Sequence, residues 1–201
     1  IDVPQMLRSH MAKVSGTIGD DPVEGLFMLD LIYSRPDVMW NEMGMLTKVH
    51  NLWLNWLVEY TDGTYEGGYA WRGRPGSGFA AAFHVVDGEG IARTDAELTT
   101  TRTERGSISG VTLKLGDEVT VELEQNGSTD WPLHTCGIAT RTSRDKEIAK
   151  SWNYTEYFPV NWGDIYGYME AYQKLYGRPA SFRRLMDGAV VDDQQRLVYP
   201  K

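Results

Sequence analysis

The sequence predicts an all-β protein, an antiparallel barrel or sandwich, with one α-helix near its C-terminal end. Three observations lead there. Short segments of alternating apolar and polar residues, separated by turn signals, recur from residue 8 to residue 158. Seven Trp and eleven Tyr are many for 201 residues, and aromatic side chains favour strands. Twenty-one Gly supply the turns and bulges that a many-stranded fold needs.

The elements follow in order. Arg8 to Ile18 reads as the first strand, closed by Gly19-Asp20-Asp21-Pro22. Val23 to Tyr33 is the second. Ser34 to Lys48 is irregular, because Pro36 and Gly44 break any period. Asn51 to Tyr60 alternates strongly: Leu52, Leu54, Trp56, Val58 and Tyr60 share one face, and Trp53 and Asn55 the other. Asp62-Gly63 is a hairpin turn leading to Thr64–Arg72. Gly78 to Val86 and the stretch around Ile91 are split by Asp87-Gly88-Glu89-Gly90. Asp95–Thr103, Ser107–Leu115 and Glu118–Glu124 come next, with a further turn at Asn126-Gly127. Leu133–Arg141 and Glu147–Phe158 complete the strands. Ile165, Tyr168, Met169, Tyr172 and Leu175 recur at helical spacing, and Gly177 stops that helix. The expected organisation is a β-barrel domain over 1–163, with a helix and tail over 164–201 packed on it.

Composition narrows the function. A net charge of -8 argues against nucleic acid, which needs a basic surface. No apolar run approaches the roughly 20 residues of a membrane span. The single Cys136 excludes an internal disulfide and fits a reducing, cytoplasmic setting. His10, His50, His84 and His134 are far apart with no metal-ligand spacing, so no metal and no cofactor is expected. His134 and Cys136 are two apart and share a strand face, which allows a thiolate pair or a buried structural cysteine.

Acid–base chemistry remains. Asp30 lies in Leu26-Phe-Met-Leu-Asp-Leu-Ile-Tyr33 and shares a face with Leu26, Met28 and Ile32. A carboxylate there is either a desolvated acid with a raised pKa, or a group turned to solvent or paired with Arg35. Glu156 shares its strand face with Trp152, Tyr154 and Phe158; it reads as a second acid among aromatics or as a rim residue paired with an arginine. His50 precedes the Trp53/Trp56 strand, where it either relays a proton or is structural. Tyr33, Trp40, Trp53, Asn55, His84, Trp152 and Tyr154 are the expected ligand contacts; Ala80, Ala81 and Ala82 leave room near His84.

The segments His10-Met-Ala-Lys-Val-Ser-Gly-Thr-Ile, Leu29-Asp30-Leu-Ile-Tyr33-Ser34-Arg35 and His50-Asn-Leu-Trp53-Leu-Asn-Trp56, followed by Asp62-Gly63, resemble the carotenoid hydratase (hydroxyneurosporene synthase)-like superfamily. The resemblance covers roughly residues 8 to 160 and corresponds to the C-terminal half of those longer proteins. It implies lipocalin-like β-barrels with an apolar ligand between or within them. It also implies an Asp that protonates an alkene, here Asp30. Leu29, Leu31, Ile32 and Ser34 stand where the family motif has Arg, His, Ser and Gly, and Tyr33 stands where it has Trp.

The expected function is therefore binding of a terpenoid, steroid or aromatic molecule in a barrel cavity, with acid-assisted hydration, dehydration or isomerisation. Asp30 would donate the proton, and His50 or Glu156 would take one back. The alternatives are a non-catalytic carrier and a subunit of a homo- or hetero-oligomer.

Overall fold

The structure, a computed structural model, describes residues 6–33, 36, 49–128, 133–161, 164–178 and 189–199. The irregular segment expected over 34–48, Trp40 within it, and part of the expected tail lie outside these residues, Pro36 apart. Backbone contacts divide the chain into two units, 1–46 and 47–201.

The first unit is a hairpin of β1 (Met6–Ile18) and β2 (Asp21–Tyr33), paired without a slip from Met6 opposite Tyr33 to Ile18 opposite Asp21. Gly19 takes a positive φ of 63° in the two-residue turn, which a side chain would resist. Apolar side chains are exposed on both faces, among them Phe27, Leu29 and Tyr33 on one and Ile32 on the other.

The second unit is one nine-stranded antiparallel sheet. Its strands are β3 (His50–Tyr60), β4 (Tyr65–Gly73), β5 (Ala80–Val86), β6 (Glu89–Arg93), β7 (Ala96–Arg102), β8 (Ile108–Leu115), β9 (Val119–Ser128), β10 (His134–Thr142) and β11 (Ile148–Tyr157). Their order across the sheet is β6-β5-β4-β3-β11-β10-β9-β8-β7. Each strand neighbours its successor in sequence, except that β11 returns to β3 and the short link from Arg93 to Ala96 joins the two sheet edges. That connectivity is an up-and-down meander of the lipocalin-like kind. The sheet curls into a half-barrel. The Arg72 guanidinium on β4 donates to the Leu98 carbonyl on β7 at 2.8 Å, across the enclosed side.

The enclosed face is the core. It takes Leu52, Leu54, Trp56, Val58 and Tyr60 from β3, with Leu113, Leu115, Val121 and Leu123 facing them from β8 and β9. The opposite face of β9 and β10 carries Glu122, Glu124, Cys136 and Thr140 towards solvent. Alternation of this kind places one apolar set inside and one polar set outside.

Two turn readings need correction. Asn126-Gly127 is not a turn: β9 runs on to Ser128, and Gly127 pairs with Cys136 beside a bulge at Cys136/Gly137. Cross-strand pairing overrides the local turn preference there. The turn after β5 is only Asp87-Gly88, and β6 already begins at Glu89.

The helix α1 (Asp164–Tyr176) forms, with Gly177 at a positive φ of 65° past its end. The tail contains β12 (Val190–Val191) and β13 (Leu197–Val198). It is tied to the loop between β7 and β8 by Val191 N to Arg105 O (2.9 Å), to β11 by Tyr157 Oη to Gln195 Oε1 (3.1 Å), and to the segment after β11 by Asn161 Nδ2 to Leu197 O (3.0 Å). No helix among the described residues is long and apolar enough to cross a membrane.

Candidate functional site

Strand register assembles the site. Glu156 on β11 is opposite both His134 on β10 and Trp53 on β3, and Trp53 is opposite Trp71 on β4. In the next row with the same facing, Cys136, Tyr154, Asn55, Tyr69 and Phe83 follow one another. Trp152 shares this facing two residues along β11. Five sequence candidates, Trp53, Asn55, Trp152, Tyr154 and Glu156, therefore lie on one face, the one turned away from the core.

Over β3 and β4 that face is buried and aromatic. Trp53 is only 7% exposed, so it is not a lone Trp on a solvent face. Its indole donates to Asn55 Oδ1 at 2.8 Å, which occupies the amide oxygen. The Trp53 and Trp71 rings lie 5.1 Å apart, and Trp53 and Tyr69 6.1 Å. These separations suit the tilted contacts aromatic quadrupoles prefer.

Towards β10 the face becomes polar and half-buried. The Tyr154 hydroxyl and His134 Nδ1 are 2.9 Å apart, and His134 Nε2 is 3.2 Å from Glu156 Oε1. Burial, then the neighbouring Glu156 and Cys136, holds the Tyr154 phenol well above its usual range. Glu156 is thus paired, with a histidine. Cys136, also exposed on this face, donates from Sγ to Gly127 O at 3.5 Å.

His50 joins the aromatic part through the irregularity between His50 and Leu52, which turns its ring out of the core register. The ring lies 4.1 Å from Phe158 and 4.8 Å from Trp71. Both ring nitrogens are buried, and among the described residues neither has a hydrogen-bond partner. Burial first, and then the Arg74 charge, lower its pKa to about 3. His50 is therefore neutral and a weak base near neutral pH, which suits packing better than proton relay.

His84 lies on the opposite, inner face. Its Nε2 is 3.1 Å from Glu66 Oε2, its ring stacks 5.6 Å from Trp56, and the Tyr60 hydroxyl donates to Glu66 Oε1. Glu66 and Tyr60 were not singled out from sequence. A lone Glu in Tyr65-Glu-Gly-Gly gives no sign of burial until β4 is paired with β3 and β5.

In the hairpin unit, Asp30 is half-buried and accepts a hydrogen bond from Ser9 Oγ at 2.5 Å. Tyr33 is exposed there, and Trp40 lies outside the described residues. Among the described residues no three His, Cys, Asp or Glu side chains converge as a metal site would require.

No protein-family model matches the sequence, and no curated protein matches it. Among solved structures it is similar to a protein of Nitrosomonas europaea provisionally named AttH, at 17% identity and a TM-score of 0.46. The match covers 75% of this chain and 51% of the other, so the chain spans about half the length of that protein. A likeness of this degree carries nothing about ligand, activity or partner.

Proposed function

We propose that the face bearing Trp53, Asn55, Trp152, Tyr154 and Glu156 binds a small, mainly apolar molecule, and that the Tyr154–His134–Glu156 chain moves a proton on it. One observation carries the reading: a buried aromatic surface continues, in strand register, into a half-exposed chain of three proton-exchanging groups. Apolar walls with a few convergent polar groups are what small-molecule sites use. With the imidazole neutral and its proton on the Glu156 side, Nδ1 accepts the phenol proton. With the imidazole doubly protonated, Nδ1–H donates to the Tyr154 oxygen, and the phenol proton is free to turn to a ligand. The reaction class this supports is isomerisation, or addition or loss of water, at a double bond of a terpenoid, steroid or aromatic compound. The carrier reading needs the same walls and no proton movement.

Native mass spectrometry of the purified protein should show a retained apolar molecule. Nile red, a neutral apolar dye, should bind saturably and at least tenfold more weakly to Trp152→Ala. The retained molecule should take up deuterium from heavy water with the wild type and not with Tyr154→Phe. Binding without exchange leaves a carrier; no saturable binding ends the proposal. A second reading keeps Asp30, half-buried in the hairpin unit, as the acid that the carotenoid hydratase-like resemblance implies. In that case Asp30→Asn stops the exchange and Tyr154→Phe does not.

A further inference from the structure

At the end of the half-barrel away from Glu66, the inner face carries a cluster of arginines. Arg72 and Arg102 line a cavity of about 230 Å³ together with Asn51, Thr100 and Gln195. Arg72 donates to Leu98 O at 2.8 Å and to Asn51 Oδ1 at 3.0 Å. Arg102 donates to Gly106 O at 2.6 Å and lies 4.1 Å over the Tyr157 ring. Arg74 approaches from the same strand end and donates to Val160 O at 3.0 Å. Every one of these acceptors is a neutral oxygen. Among the described residues no carboxylate pairs with Arg72, Arg74 or Arg102. By contrast, Arg93, Arg141, Arg144 and Arg196 each have an Asp or Glu within 4.0 Å.

This arrangement is unexpected in a chain with 28 acidic and 20 basic residues. Partly burying like charges together is unfavourable without a counter-charge. Burial, followed by the Arg102 charge, lowers the Arg72 pKa, as a cation short of compensation requires. A guanidinium has five N–H donors in a planar fork. Arg72 directs two bonds and Arg102 one to the protein, so both forks keep donors in reserve. Thr100, Asn51 and Gln195 add neutral polar groups around the same space.

We infer that this cavity is an oxyanion site, sized for one carboxylate or phosphate group, with the Arg72 and Arg102 forks as its principal donors. The inference stands apart from the proposed function, since it uses neither the aromatic face nor Tyr154. A free phosphate-type anion and the carboxylate end of an apolar ligand both present this chemistry.

The test is calorimetric titration and thermal melting of the whole chain at low ionic strength, with phosphate, acetate and hexanoate against chloride at matched ionic strength. At least one of the three should bind saturably and raise the melting temperature above the chloride control. Arg102→Gln and the milder Arg72→Lys should each weaken that binding at least tenfold, while Arg141→Gln, on the outer face, should not change it. Hexanoate at least tenfold tighter than acetate identifies the carboxylate of an apolar ligand; phosphate tighter than both identifies a free anion. The inference is overturned if no anion outperforms chloride, or if binding survives in both variants.

Discussion

At the scale of single residues, His50 and Glu66 show burial working in opposite ways on two titrating groups. His50 is held neutral in the fold, with a pKa of about 3 against about 6.5 unfolded. The unfolded chain therefore takes up a proton below pH ~6.5 that the folded chain refuses, and stability falls as pH drops from there towards ~3. The slope is about 1.4 kcal/mol per pH unit, so roughly 2 kcal/mol is lost by pH 5. His50→Leu removes both the unpartnered nitrogens and the titration. It should be more stable than wild type, by about 1 kcal/mol at pH 7 and by more at pH 5, in urea unfolding. A stability difference that does not change with pH would refute this account. Glu66 behaves differently. Burial pushes its carboxyl up, but the hydrogen bonds from His84 and Tyr60, with the His84 and Arg144 charges, outweigh this and leave it below the ordinary value. Its stabilising contribution is therefore full above the unfolded pKa of about 4.3 and is lost as pH falls through the lower folded value. Glu66→Gln should cost about 1–3 kcal/mol at pH 7, and the deficit should shrink in acid.

At the scale of elements, close strand approach is enforced at particular glycines. A methyl group added at Gly68 would collide with the Phe83 carbonyl, and one at Gly137 with the Glu124 carbonyl. Both contacts are to backbone, so relief requires β4 to part from β5, or β10 from β9. Gly68→Ala should lower stability by about 1–3 kcal/mol in thermal unfolding. Gly25→Ala, where none of the described residues lies within 4 Å, should stay within about 0.5 kcal/mol of wild type. The same contrast explains what the sequence could reveal. The two faces of β3 were legible because alternation needs only the strand itself, and so was the sharing of a face by Trp152, Tyr154 and Glu156. The partnership of His134 with Glu156 was not legible, because it depends on which residue of β10 meets which of β11. Neither was the meeting of Arg72 with Arg102, which depends on how far the sheet curls. Asn126-Gly127 misled for a related reason: a local turn signal was outweighed by pairing with a strand not yet in view.

At the scale of the whole molecule, the two units differ in what each can stabilise alone. The hairpin of β1 and β2 makes a full ladder but leaves Val14, Ile18, Phe27 and Ile32 more than 40% exposed. A two-stranded hairpin without a covered apolar face is marginal in water. Residues 47–201 instead enclose a core in which Leu52, Leu54, Val58, Leu113 and Val121 are 0% exposed. Burying a Leu or Val side chain contributes about 1.5–3 kcal/mol, so this unit holds nearly all of the hydrophobic stabilisation visible in the described residues. A fragment of residues 47–201 should therefore unfold in one cooperative thermal transition and keep the near-ultraviolet circular dichroism of its clustered Trp and Tyr rings. A peptide of residues 1–46 should show no cooperative transition. If the fragment lacks a transition, or loses its aromatic dichroism, the core of the nine-stranded sheet depends on residues before 47, and stability is not divided between the units in this way.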